Sequence, residues 1–397
     1  MPFKFIFLCD LLSSLEALST RDPPLLPAAL RDRYQRTISQ WFRSHRARID
    51  ALDASSAVAL LSALFPERRT DRIYGLQPPS LTKALGRCLG LGLSRIRELE
   101  RWKEPGRGDL GACVERVQRQ AEMARCGQGN EATVEEVDAA LALVAGKSRF
   151  SGPKVRGEAP PMGHFEELQP ASALHEVLRR IYVKLQSREA KWFTRMILMD
   201  YAPVILPEGL VLRSFHFLLP DFLNVQDCLN AAVGMLRGPV ICKWPAMPGQ
   251  DEAKRYKGLA AQLLLPRSGV KVGRANYLKA RSIKHALQMA GRRRMSLERK
   301  YDGEYCQMHI NLAHGDNCIQ IFSKSGKDST NDKIGIHDTI RNALRIGSTD
   351  CAISSTCILE GELVVWSDKE QKILEFHKMR KHLSRSGVFL GTSKDSQ

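Results

Sequence analysis

Leu297-Glu298-Arg299-Lys300-Tyr301-Asp302-Gly303-Glu304 is the stretch of this 397-residue sequence whose reading decides the rest. It sets a lysine beside a carboxylate and a glycine, in a pattern that predicts a β-strand running into a turn. A lysine amine is protonated in water near neutral pH. It becomes a nucleophile when desolvation or neighbouring cations lower its pKa. So placed, Lys300 can attack the α-phosphate of a nucleotide and hold the nucleotide as a phosphoramidate. Charge growing on the phosphoryl oxygens then needs metal ions and basic side chains, and carboxylates within reach to hold the metal or the ribose hydroxyls. Gly303 lets the backbone turn tightly beside the reacting group. Lys-x-Asp-Gly alone is short, and average residue usage produces it in roughly one chain in ten of this length. Its neighbours carry the argument.

Downstream, Tyr305-Cys306-Gln307-Met308-His309-Ile310 and Cys318-Ile319-Gln320-Ile321-Phe322 alternate in polarity. Cys357-Ile358-Leu359 and Leu363-Val364-Val365-Trp366 are β-rich runs around Glu360-Gly361-Glu362. Upstream, between positions 271 and 300, Lys271, Arg274, Lys279, Arg281, Lys284, Arg292, Arg293, Arg294, Arg299 and Lys300 meet a single carboxylate, Glu298. That density fits phosphate contacts, which give affinity and register without reading sequence. Arg274, Lys279, Arg281, Lys284, Arg292, Arg293 and Arg294 are the candidates for nucleic-acid phosphates. The competing readings are a solvated helix face, or a nuclear-import patch around Arg292 to Arg294. No aromatic ladder accompanies the stretch, so single-strand stacking is not indicated.

Residues 1–146 read as helical. Phe7, Leu8, Leu11, Leu12, Leu15 and Leu18 fall on one face, and apolar positions recur in Val58, Leu61, Leu64 and Phe65, and in Leu81, Leu85 and Leu89. Gly90 and Gly92 mark a break between helices. Thr133-Val134-Glu135-Glu136 is a capping-box pattern that starts a helix through Val137, Leu141 and Val144. Residues 147–170, rich in Ser, Gly, Pro and Lys and including Pro160-Pro161, read as a linker or long loop. Helical patterning resumes over 171–268 through Leu174, Val177, Leu178 and Ile181, with Trp192, Met196 and Met199 as core positions. A helical front and a strand-rich, antiparallel back over 269–397 predict a multidomain α+β chain. Its 43% hydrophobic and 26% charged residues are an ordinary globular mixture, but a net charge of +17 implies an anionic partner, most plausibly nucleic acid. Ten cysteines without Cys-x-x-Cys or regular spacing fit reduced thiols in cytosol or nucleus rather than a disulfide framework or a zinc site. No apolar run is long enough to span a bilayer.

On these motifs the sequence resembles the ATP-dependent DNA ligases, within the nucleotidyltransferase superfamily that includes RNA ligases and mRNA capping enzymes. Glu298-Arg299-Lys300-Tyr301-Asp302-Gly303-Glu304 looks like the family's nucleotidyl motif. Phe322-Ser323-Lys324-Ser325-Gly326 is similar to its second motif, and Leu359-Glu360-Gly361-Glu362-Leu363-Val364-Val365 to its third. Phe376-His377-Lys378-Met379-Arg380 resembles the basic segment that follows. Trp192-Phe193-Thr194-Arg195-Met196-Ile197-Leu198-Met199-Asp200 looks like part of the helical DNA-binding domain of the end-joining, fungal-like branch. The resemblance implies an all-helical N-terminal DNA-binding domain in two parts, 1–146 and 171–268, followed by a partial adenylation domain.

By the same resemblance, Lys300 accepts AMP and Glu298 accepts a hydrogen bond from the adenine amino group. Lys324 supplies positive charge near the nucleotide or the DNA phosphate, and Glu362 helps hold the ribose or a metal. ATP and Mg2+ are the implied cofactors, double-stranded DNA the implied partner, the nucleus the implied place, and repair and recombination the implied roles. Tyr305 stands in the nucleotide site where the family usually has Arg, and a phenol does not replace a bidentate guanidinium. After Arg380 there is no match to the later motifs, to a C-terminal OB-fold or to partner-binding repeats, so no protein partner is indicated. The expectation is that this polypeptide alone is a poor or inactive ligase. The alternatives are a catalytically impaired, ligase-like DNA-binding protein, and an RNA ligase or capping guanylyltransferase. The large helical region argues against the last pair.

Overall fold

The computed structural model describes residues 2–122, 131–157, 170–274 and 277–375. The chain divides into two compact units: residues 1–223 with 228–264, and residues 224–227 with 265–397. The first is helical; the second is built on a small antiparallel sheet.

The first unit is organised by two crossing helices, Leu110–Glu122 and Ser187–Leu198. They approach closely because Gly111 lies at the crossing, where a Cβ would come within 2.9 Å of the Lys191 carbonyl oxygen. Trp192, Phe193, Met196 and Ile197 are buried there, and the Trp192 indole donates to Ser13 Oγ at 2.9 Å. Arg195, also buried, is held by both Asp109 oxygens (2.8 and 3.0 Å) and by Glu16 at 2.9 Å. The Trp192–Asp200 segment is therefore an internal spine. Met199, read as core, is instead 39% exposed: it takes a left-handed conformation (φ 53°) as the C-cap that ends the helix. A period of 3.6 cannot foresee where the last turn unwinds.

Elsewhere the local signals act as expected. The helix Phe5–Ser19 buries Phe5, Leu8, Leu11, Leu12 and Leu15. Thr133 Oγ1 accepts from the Glu136 amide (3.3 Å) while Glu136 Oε2 accepts from the Thr133 amide (3.0 Å), closing the capping box of Val134–Gly146. Gly90, at φ 58°, and Gly92, an N-cap, separate Pro78–Cys88 from Leu93–Leu99. The stretch read as a linker begins with packed residues. Ser151 is buried and donates to the Ala145 and Ile73 carbonyls (2.7 and 3.1 Å), and Val155 is buried in the helical core. Pro160-Pro161 lies outside the described residues.

In the second unit β1 (Glu304–Asn311) is central, with β2 (Ile319–Ser323) and β3 (Thr356–Leu363) antiparallel on either side. Alternation sorts the faces. Cys306, Ile310, Ile319 and Ile321 pack on one side against Ile340 of the helix His337–Ala343. The other side carries Tyr305, Gln307 and His309, all buried. A short ribbon of β4 (Trp366–Ser367) and β5 (Lys372–Ile373) follows.

Candidate functional site

One end of the sheet gathers the residues that the motifs single out. Register sets Glu362 opposite Tyr305 and Glu360 opposite Gln307. Residues two apart on a strand share a face, so both carboxylates belong to the face of Tyr305. Ser323 lies opposite Cys306, so Lys324 leaves β2 at this same end. Lys300 to Gly303 enter β1 there as well. Lys324, Tyr305 and Glu362 thus lie at the end of the sheet where the lysine segment arrives.

The lysine segment itself is not a strand. Residues 294–302 carry no regular structure, and the strand starts at Glu304. The ladder gives the reason: Glu304 pairs with Leu363, the last residue of β3, so no paired strand continues opposite the residues before it. Gly303 closes the junction. A Cβ on it would lie 2.3 Å from the Leu363 carbonyl oxygen and 3.0 Å from Val364 Cγ1. Its φ is not left-handed, so the glycine is required by close approach of another backbone rather than by turn geometry. Lys300 and Glu298 are exposed, and so are Lys324 and Glu362. Ser296 Oγ donates to Glu298 Oε1 at 3.4 Å, and the Arg299 guanidinium stands 5.2 Å from the Tyr301 ring centre. Among the described residues the side chains of Lys300, Lys324 and Glu362 make no hydrogen bond or ion pair.

Tyr305 is the fixed point. It is 7% exposed, and its hydroxyl accepts from Gln307 Nε2 at 3.3 Å. Burial, with the Glu360 carboxylate beside it, pushes its phenol up to about 12, while Arg274 opposes the rise. The Arg274 guanidinium lies 4.9 Å from the ring centre. Arg274 is placed there by a strap: Gln307 Oε1 accepts from the Val272 amide at 2.7 Å and Gln307 Nε2 donates to the Val272 carbonyl at 3.1 Å. His309 Nδ1 accepts from the Gly269 amide at 3.0 Å, which leaves Nε2 to donate to Gln307 Oε1, also at 3.0 Å. Burial holds the His309 imidazole at about 4, so it is neutral and fit to accept. On the opposite face Glu304 pairs with Lys333 at 2.6 Å, a lysine only 4% exposed.

The basic stretch separates into groups. Lys279, Arg281, Lys284, Arg292 and Arg294 are exposed, Lys284 on the helix Ile283–Ala290, which buries no residue. The Arg293 guanidinium turns back to the Met289 and Ala290 carbonyls of that helix. Lys271, counted with the basic density, is instead 5% exposed and ion-paired to Asp227 at 2.9 Å. Asp227 is 44 positions away, too far in sequence for local charge density to reveal. Glu360 was not singled out, though its position two before Glu362 was the available signal. Phe376 to Arg380 lie outside the described residues.

Among the described residues there is no group of three or more His, Cys, Asp or Glu side chains fit to hold a metal. Magnesium is usually held by one or two carboxylates together with substrate phosphates, and Glu360 and Glu362 on one face suit that mode. No helix among the described residues is long and apolar enough to cross a membrane.

Comparison with known proteins covers both units. The family described as DNA ligase N terminus matches residues 4–216, and that described as ATP dependent DNA ligase domain matches residues 275–395. DNA ligase 4 of Dictyostelium discoideum is 21% identical over 349 residues, spanning 83% of this chain and 29% of that protein. DNA ligase 4 of Coprinopsis cinerea is 24% identical over 362 residues, spanning 88% of this chain and 30% of its own length. The chain thus spans less than a third of the relatives it matches.

Proposed function

Because this chain belongs to the ATP-dependent DNA ligase family, we propose that its Lys300 takes AMP from ATP, releasing pyrophosphate, and passes it to a DNA 5′-phosphate. A 3′-hydroxyl then displaces the AMP and the break is sealed. The observation that carries this reading is the placement of Tyr305, Lys324 and Glu362 at the one sheet end where Gly303 delivers the lysine segment. Glu298 accepts from the adenine amino group and so favours ATP over GTP. Lys324 offsets phosphate charge. Glu362 holds a ribose hydroxyl or, with Glu360, a Mg2+ shared with the phosphates. When bound, that ion stabilises the negative charge on the phosphoryl oxygens.

Residues 1–146 and 171–268 act in this proposal as two parts of a DNA-binding domain, and 269–397 as adenylation domain sequence. Lys279, Arg281, Lys284, Arg292, Arg293 and Arg294 contact duplex phosphates, in the nucleus, during repair and recombination. The test is a gel assay with ATP labelled at the α-phosphate. A covalently labelled band that is lost in Lys300→Ala supports the reading, and a band that survives in Lys300→Ala sinks it.

A catalytically impaired, ligase-like DNA-binding protein is the second reading. The exposure of Lys300 favours it, because among the described residues no packed wall strips water from the amine. Salt-dependent duplex binding without any AMP labelling would establish it.

A further inference from the structure

We propose that Arg274 belongs to the nucleotide site rather than to the DNA-contacting basic stretch, forming with Tyr305 and Glu360 the subsite for the ribose and α-phosphate of ATP. This rests on the adenylation reading above and extends it to residues that the motifs do not assign.

The strap makes the difference between Arg274 and the other exposed cations. Gln307 grips both the amide and the carbonyl of Val272, and His309 grips Gly269, so the backbone two residues before Arg274 is fixed to the sheet. The guanidinium then lies over the Tyr305 ring. Stacking of this kind leaves the donor edge of the guanidinium free, and Arg274 has no ion pair among the described residues. A planar fork with unspent donors matches a phosphate, and a lysine ammonium would not reproduce it.

Beside it, the Tyr305 hydroxyl is hydrogen-bonded to the Glu360 carboxylate, which keeps acceptor capacity for a ribose hydroxyl. Register keeps both at the sheet end that Lys300 approaches. A guanidinium and a carboxylate held on either side of one buried phenol are the groups that a nucleoside monophosphate needs along its sugar and phosphate. Lys279, Arg281 and Lys284 have no comparable anchor, which suits contacts to a long, regular phosphate backbone.

The full chain is tested by equilibrium binding of ATP and, separately, of a nicked duplex over a range of salt concentrations. Thermal melts check that each variant folds. Arg274→Ala is expected to weaken ATP by about tenfold or more, and Arg274→Lys by nearly as much, with duplex affinity within about twofold of the parent. The proposal is overturned if Arg274→Ala leaves ATP binding unchanged while lowering the duplex salt slope by about one. It is also overturned if Arg274→Lys binds ATP like the parent. Loss of ATP binding in the parent chain itself would overturn the adenylation reading along with it.

Discussion

Replacing Gly303 by alanine is the sharpest structural perturbation that the site offers. The new Cβ would stand 2.3 Å from the Leu363 carbonyl oxygen and 3.0 Å from Val364 Cγ1. Ordinary contact requires it to retreat by roughly 1 Å, and the obstacle is backbone, which cannot rotate aside as a side chain does. Overpacking of this sort costs about 1–3 kcal/mol. The same strands carry a built-in control: at Gly361, opposite Cys306, a Cβ meets nothing within 4 Å and φ is not left-handed. Gly361→Ala should change stability by no more than about 0.5 kcal/mol. Urea unfolding of both variants gives the comparison through the shift in midpoint at constant slope. Lys300 lies three residues before the displaced junction, and a shift of about 1 Å in a reacting group costs on the order of a hundredfold in rate. Covalent AMP labelling should therefore fall in Gly303→Ala by more than its stability loss explains. Equal stability losses in the two variants, or a neutral Gly303→Ala, would refute the close-approach argument.

The His309 imidazole is held at about 4, below its ordinary 6.5, so the fold binds fewer protons than the unfolded chain between those values. Its contribution is fully present above pH 6.5 and is lost as pH falls toward 4, up to about 3 kcal/mol for such a shift. His309→Gln should flatten the acid limb of the unfolding curve by that amount, and an unchanged limb would remove His309 from the account. His216, in the helical unit, is also held at about 4 by burial with Arg46 and Arg237 nearby, and should keep its own acid loss in that variant. Lys284→Ala should reduce the salt slope of duplex binding by about one and leave ATP binding unchanged; an unchanged slope would take that helix off the DNA.

Much of the architecture was legible because it is local. The alternation of Tyr305 to Ile310 and of Cys318 to Phe322, the capping box at Thr133 and the break at Gly90 are each written within a few residues. The strap was not. Gln307 reaches Val272 across 35 positions and His309 reaches Gly269 across 40, and neither pairing leaves a mark in composition. Arg274 therefore read as one more cation in a basic run, and Lys271 likewise, although one stacks on a phenol and the other is buried with Asp227. The strand predicted through Lys300 failed for a related reason. Strand propensity is satisfied only where a partner strand exists, and β3 ends opposite Glu304. Gly303 was correctly singled out, but for turn geometry, when the cause is a carbonyl 60 positions downstream.

The claim on which the rest depends is that Lys300 is the AMP acceptor. Its most direct test is peptide mass mapping of the full chain after incubation with ATP and Mg2+, with Lys300→Ala and Arg299→Ala treated in parallel. An acid-labile adduct of one AMP is expected on the peptide containing Lys300, weak in yield, retained in Arg299→Ala and absent from Lys300→Ala. An adduct on any other lysine, or none on Lys300 in a chain that demonstrably binds ATP, would contradict it.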